Sequence, residues 1–283
     1  FNEIMNNSLT NNKLNILSRE SVNIINSISS DISQLRTSLL ESSLKTLKFN
    51  LNRKNKNNKF FEFGKIYEMV EGKTIESRRL SIIFANDLFN NSWNNKISSS
   101  DFYYLKNIIL NILDKLSIKT TEKIIDHDVF NNTLGLYHND NTLALLGDVK
   151  NQYLSRLDIK NKVYYASLDI DNILKLISGD FIKYNKLSKF PNVKRELNFL
   201  FENKVQYKSV ENYILNQSSI KNLHEMTLSD VYEDQKLPEG KKSYTLNFTL
   251  QDQIKTLSEK EISLTMNKIQ SKIESKFNAV LRS

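Results

Sequence analysis

Ser243-Tyr244-Thr245-Leu246-Asn247-Phe248-Thr249-Leu250 alternates apolar and polar residues without a break. A period of two puts Tyr244, Leu246, Phe248 and Leu250 on one side of a strand and the polar set on the other. One side is expected to be buried and the other wet. Immediately upstream, Lys236-Leu237-Pro238-Glu239-Gly240 has turn composition. A second strand, Leu223–Tyr232, precedes that turn, and before it come a helix, Tyr207–Asn216, and a strand, Val193–Phe201. Downstream, Ser258 can cap the amide of Glu261 while Glu261 reaches back, the pattern of a capping box. The helix it opens carries an apolar stripe of Ile262, Met266, Ile269 and Ile273. A last strand, Ala279–Arg282, follows. The order βαββαβ predicts a ferredoxin-like split βαβ, whose helices cover one sheet face and leave the other for a ligand.

The upstream sequence has a different rhythm. Ser33–Asn52 reads as a helix, with Leu40, Leu44, Leu47 and Leu51 on one face. That stripe reads as core; a contact with another subunit through it or through Arg36–Ser38 is the alternative. The stretch Asn50–Lys59, with Arg53, Lys54, Lys56 and Lys59 among asparagines, reads as a solvated loop, with RNA contact as the alternative. Strands are expected at Phe60–Met69 and Arg79–Ala85, then a helix at Tyr103–Leu116. Short strands follow near 123–125, 133–137, 142–149 and 163–169, and a brief helix, Asp171–Ile177, ends at Gly179. Strand runs with a few helices predict an α+β domain with a mainly antiparallel sheet. Both prolines, Pro191 and Pro238, lie beyond residue 187. With the loop Ser178–Ser188, this places a boundary between domains 1–186 and 187–283.

Composition removes several chemistries. The 283 residues contain no Cys, so there is no disulfide framework, thiolate metal site or Cys nucleophile, as in a reducing compartment. The six glycines are too dispersed for a phosphate-cradling loop. The three histidines, His127, His138 and His224, show no metal-ligand spacing. No run of about 18 apolar residues exists, so no membrane span is expected. The chain opens on Phe1 with no basic-then-apolar leader, and is expected to be a piece of a longer protein. Its net charge is +8, and residues 187–283 hold 15 basic and 12 acidic side chains. Spread-out positive charge permits a polyanion such as RNA without demanding one.

Several motifs carry a resemblance. Lys189-Phe190-Pro191-Asn192-Val193-Lys194-Arg195-Glu196-Leu197, Ser229-Asp230-Val231-Tyr232, Leu237-Pro238-Glu239-Gly240-Lys241-Lys242-Ser243 and Phe248-Thr249-Leu250-Gln251-Asp252 resemble the ferredoxin-fold anticodon-binding domain of bacterial phenylalanyl-tRNA synthetase beta subunits. Leu35-Arg36-Thr37-Ser38-Leu39-Leu40, Phe61-Glu62-Phe63-Gly64-Lys65-Ile66-Tyr67 and Asp101-Phe102-Tyr103-Tyr104-Leu105-Lys106 look like that subunit's catalytic-like domain. Glu196 stands where the family usually has Asp, and Ser229 where it usually has a bulky apolar residue.

The resemblance implies a class II synthetase-like antiparallel sheet domain followed by the ferredoxin-like domain. It implies an alpha2–beta2 heterotetramer that attaches phenylalanine to tRNA(Phe) in the cytoplasm. It also implies that this chain is not the catalyst. Class II synthetases bind ATP with an Arg just after a Gly-containing strand; here that strand is Phe61–Tyr67, and Glu68 follows it. A carboxylate there repels a triphosphate. ATP and Mg2+ are therefore expected to serve the complete enzyme, with no cofactor or metal in this chain. The family match implies tRNA contact at Asp230, Tyr232 and Ser243, and the charges of Arg195, Lys194, Lys241 and Lys242 suit neutralisation of the RNA backbone. Stacking on Tyr232 and hydrogen bonding to Asp230 is how single-stranded bases are read. By residue pattern alone, uniform alternation puts Asp230 and Tyr232 on the side of Met226 and Leu228, and a bulge near Ser229 is needed to turn them outward. The alternative function is a subunit-assembly scaffold without RNA contact.

Overall fold

A computed structural model describes residues 1–11, 16–17, 19–55, 58–85, 101–177, 186–234 and 237–282. The chain divides into two units, Phe1–Lys183 and Tyr184–Ser283. Gly179, most of the expected boundary loop, Lys56 and Lys236 lie outside the described residues.

The first unit contains short strands β1 (Asn2–Glu3), β2 (Leu9–Thr10) and β3 (Gln34–Leu35), then helix α1 (Leu40–Asn52). A long hairpin, β4 (Lys59–Val70) and β5 (Lys73–Ala85), is followed by α2 (Phe102–Lys115), β6 (Thr121–Ile125), β7 (Phe130–His138) and β8 (Asn141–Val149). Helix α3 (Asn151–Ser155), strand β9 (Val163–Asp169) and helix α4 (Ile170–Ile177) complete it. Seven strands form one sheet in the order β1-β4-β5-β9-β8-β7-β6. Every pairing is antiparallel except the short β1–β4 contact. The hairpin turns on Glu71 and Gly72, both at positive φ (51° and 75°), as a two-residue type I′ turn requires.

Both faces of this sheet are covered, so every residue of β5 from Leu80 to Ala85, Ser81 included, is buried. Leu80, Ile82 and Phe84 pack under Leu105 and Ile109 of α2 and Ile173 of α4. Ile83 points the other way and packs with Leu40, Leu44 and Leu47 of α1, each fully buried. The leucine stripe is therefore core of its own unit.

One expectation is corrected here. The helix begins at Leu40, not Ser33. Gln34 and Leu35 pair instead with β2, and Arg36 accepts a backbone bond from Tyr67. The Arg36 side chain is buried; its Nη1 donates to Glu62 Oε1 at 2.7 Å and its Nε to the Lys65 carbonyl at 2.9 Å. A helix through residue 36 would strip Glu62 of this partner. The cost of leaving a buried carboxylate unpaired keeps residues 34–36 extended instead of helical.

Glu41 sits on the first turn of α1, buried, and accepts a hydrogen bond from the Ile16 amide at 2.6 Å. Burial pushes its carboxyl up from 4.5 to about 7, against the lowering effects of that amide and of Lys45. The folded-state pKa is raised, so the contribution is full below pH 4.5 and is lost as pH rises through 7. Chemical denaturation between pH 5 and 8 is expected to show about 2–3 kcal/mol of this loss, which Glu41→Gln should abolish. Parallel pH profiles for the two proteins would refute it.

The second unit contains β10 (Val193–Glu202), α5 (Tyr207–Leu215), β11 (Leu223–Tyr232), β12 (Lys241–Leu250), α6 (Glu259–Phe277) and β13 (Val280–Leu281). This is the expected βαββαβ order, with sheet order β11-β12-β10-β13. The capping box is present: the Glu261 amide donates to Ser258 Oγ and the Ser258 amide to Glu261 Oε2. Phe199, Phe201, Leu246, Phe248 and Leu250 pack under Val210 and Ile214 of α5 and Ile262, Ile269 and Ile273 of α6.

Candidate nucleic-acid interface

The helices of the second unit cover one face of its sheet, so the interface is sought on the other. Cross-strand partners share a face. Since Leu246 and Phe248 point to the helices, Ser243, Thr245 and Asn247 point away. Their partners on β10 are Leu200, Asn198 and Glu196. On β11, Thr227 pairs with Asn247, Asp230 with Thr245, and Tyr232 with Ser243. Asp230 and Tyr232 thus stand on the helix-free face.

They reach it through a register shift. Leu228 pairs with Leu246 and Asp230 with Thr245, so Ser229 is the extra residue of a bulge. One added residue inverts the parity of everything after it. Ser229 is held in place: its hydroxyl donates to the Thr245 carbonyl at 3.2 Å and accepts from Asn247 Nδ2 at 2.9 Å. The small polar side chain therefore fits the bulge.

Tyr232 is half-buried and offers its ring along the face. Its hydroxyl donates to Asp234 Oδ2 at 2.8 Å, and that carboxylate holds the phenol above its ordinary pKa. The guanidinium of Arg282 lies over the ring, 5.7 Å from its centroid. Asp230 is exposed. Ser243 is on the same face but only 1% exposed, and its hydroxyl donates to Asn198 Oδ1 at 2.5 Å. It builds the floor beneath Tyr232 rather than reaching outward.

The four basic positions separate by parity. Lys194 and Lys241 pair with Thr249 and Glu202 on the open side. Arg195 and Lys242 pair with Phe248 and Phe201, and so point to the helix side, away from the face that carries Asp230 and Tyr232. Arg195 is held by both carboxylate oxygens of Glu259, at 2.9 and 3.2 Å. Lys242 lies over the Tyr244 ring at 5.1 Å. Sequence reasoning passed over Arg282; the signal was the alternation of the last strand, which turns Arg282 outward once Leu281 is inward. Carboxylates at Glu196, Glu202, Glu225 and Asp230 share the open face with Lys194, Lys241 and Arg282. Bulk positive charge is therefore not its character; a ring, hydroxyls and amides at defined spacing are.

The first unit holds a cavity of about 300 Å³ whose lining includes Leu40, Ile66, Tyr137, Tyr165, Arg19 and Arg79. Both arginines are engaged, Arg79 by Asp169 at 2.6 Å and Arg19 by Glu68. Among the described residues no three metal-ligating side chains cluster. The donor set lining this cavity does not fit a nucleoside triphosphate with its metal. No helix among the described residues is long and apolar enough to cross a membrane.

A family model described as phenylalanyl tRNA synthetase beta chain CLM domain matches residues 1–170, and one described as ferredoxin-fold anticodon binding domain matches residues 188–282. A phenylalanine–tRNA ligase beta subunit from Bacteroides thetaiotaomicron is 36% identical over all of this chain, which covers 36% of that protein. One from Clostridium tetani is 30% identical over 93% of this chain and 33% of its own length. The chloroplastic beta subunit of Porphyra purpurea is 29% identical over 94% of this chain and 38% of its own. The chain therefore spans about a third of the length of these curated relatives. Among solved structures, a pyrrolysyl-tRNA synthetase from Desulfitobacterium hafniense aligns with TM-score 0.48 and 12% identity, over 63% of this chain and 64% of that one.

Proposed function

The chain belongs to the phenylalanyl-tRNA synthetase beta chain family, and on that premise we propose that residues 187–283 read the anticodon region of tRNA(Phe), while residues 1–186 form an inactive synthetase-like core supporting a catalytic alpha subunit. The observation that carries this reading is the bulge at Ser229, which delivers Asp230 and Tyr232 to the helix-free sheet face. The division between Lys183 and Tyr184 and the start of the second matched model at residue 188 support the domain assignment.

Each residue has a role on this reading. Tyr232 supplies a stacking face for an unpaired base. Asp230, two residues away on the same face, accepts hydrogen bonds from guanine N1–H and N2–H2, which adenine cannot offer. Ser243 and Asn198 fix the floor under the ring. Lys194 and Lys241 meet phosphates, and Arg195 and Lys242 contribute only from the far side of the strands. ATP and Mg2+ belong to the alpha subunit, because the first unit has no uncommitted arginine at its cavity and a carboxylate at Glu68. The assembly is an alpha2–beta2 ligase of the cytoplasm.

A second reading, an assembly scaffold without RNA contact, is favoured by the carboxylates on the open face. The two separate in the enzyme assembled with its alpha subunit. Asp230→Ala is expected to raise KM for tRNA(Phe) roughly tenfold, the loss of a base-edge hydrogen bond to a charged group. Phenylalanine-dependent ATP–pyrophosphate exchange should be unchanged. An unaltered KM for tRNA would favour the scaffold.

A further inference from the structure

Arg282 has the geometry of a second participant on the reading face. Its backbone amide donates to the Asn198 carbonyl at 2.7 Å, on the strand adjoining β13. From there its side chain crosses the open face to lie over the Tyr232 ring on the far edge strand. The same Asn198 accepts the Ser243 hydroxyl, so the anchor of Arg282 and the floor of the ring are one assembly. The second unit has two arginines. Arg195 is neutralised by Glu259, whereas no carboxylate among the described residues pairs with Arg282. It is exposed, and the ring is the partner of its guanidinium.

We propose that Arg282 covers Tyr232 when the face is empty and clamps the phosphate of the stacked nucleotide when it is occupied. This rests on the anticodon-binding reading above and adds to it a residue and an exchange. An exposed cation–π contact is weaker than stacking of a base on an aromatic ring, so a base displaces the guanidinium. The displaced group stays tethered at Asn198, within a side chain's length of the nucleotide that moved it. A planar fork without a carboxylate partner then meets two phosphate oxygens.

Binding of a fluorescein-labelled RNA hairpin carrying the tRNA(Phe) anticodon loop to the 283-residue chain, across a salt series, tests this. Arg282→Ala is expected to weaken binding roughly 5- to 20-fold and to lower the slope of log K against log salt by about one unit. Arg282→Lys should restore the slope and only part of the affinity, because an ammonium lacks the fork. Tyr232→Ala should weaken binding at unchanged slope. Wild-type affinity and slope in Arg282→Ala, beside a weakened Tyr232→Ala, would overturn the role of Arg282 and leave the face intact. Wild-type behaviour in both variants would overturn the face itself.

Discussion

Arg36→Ala is expected to lower the stability of the first unit by about 3–5 kcal/mol, the cost of stranding a buried charge. Glu62, 1% exposed, would keep only Asn6, whose amide and Nδ2 donate to it at 3.2 and 2.7 Å. The guanidinium also fills space over the strand: a Cβ on Gly64 would collide with Arg36 Nη2 and lie 2.9 Å from Leu39 Cδ2. Gly64 is therefore the residue that admits Arg36, and a Gly64→Ala variant should reproduce part of the loss. Replacing both charges, as Arg36→Met with Glu62→Leu, removes the stranded carboxylate and should cost far less than either half alone. Urea unfolding followed by far-UV circular dichroism checks this. An unchanged midpoint in Arg36→Ala would refute the role of the pair.

Tyr232→Ala is expected to remove about 1–3 kcal/mol of RNA binding, or roughly 5- to 150-fold in Kd, the worth of one base stacked on one ring. Tyr232→Phe keeps the ring and loses only the bond to Asp234, so its Kd should stay within about threefold. The ring is not part of the helix-side core, so both variants should melt with the wild type. Anisotropy with the labelled hairpin separates them. Equal losses in the two variants would mean that the phenol, and not stacking, makes the contact.

The second unit was largely legible because its signals agree at each level. The alternation of 243–250, the proline–glycine turn and the Ser258–Glu261 box all point to the same element order, and the structure has it. What sequence could not supply was parity. A strand is read by counting in twos, and the count fails at Ser229 without any local mark, because Ser is unremarkable in a strand. The same rule explains Arg195 and Lys242. Neighbours in a strand point to opposite faces, so neither Lys194 and Arg195 nor Lys241 and Lys242 can both face one ligand. In the first unit, the leucine stripe marks the helix from Leu40 onward, and only the distant Glu62 reveals why the chain just before it is extended. Arg282 needed a contact across the sheet to be seen at all.

The claim on which the functional account stands is that RNA lies on the helix-free face of the second unit. Photo-cross-linking of the anticodon hairpin with 4-thiouridine in its loop, with the attachment sites mapped by mass spectrometry, tests it most directly. The account predicts adducts on the open-face residues of β11 and β12, with Tyr232 foremost, and their loss in Tyr232→Ala. Adducts confined to α5 and α6, or to the first unit, would contradict it.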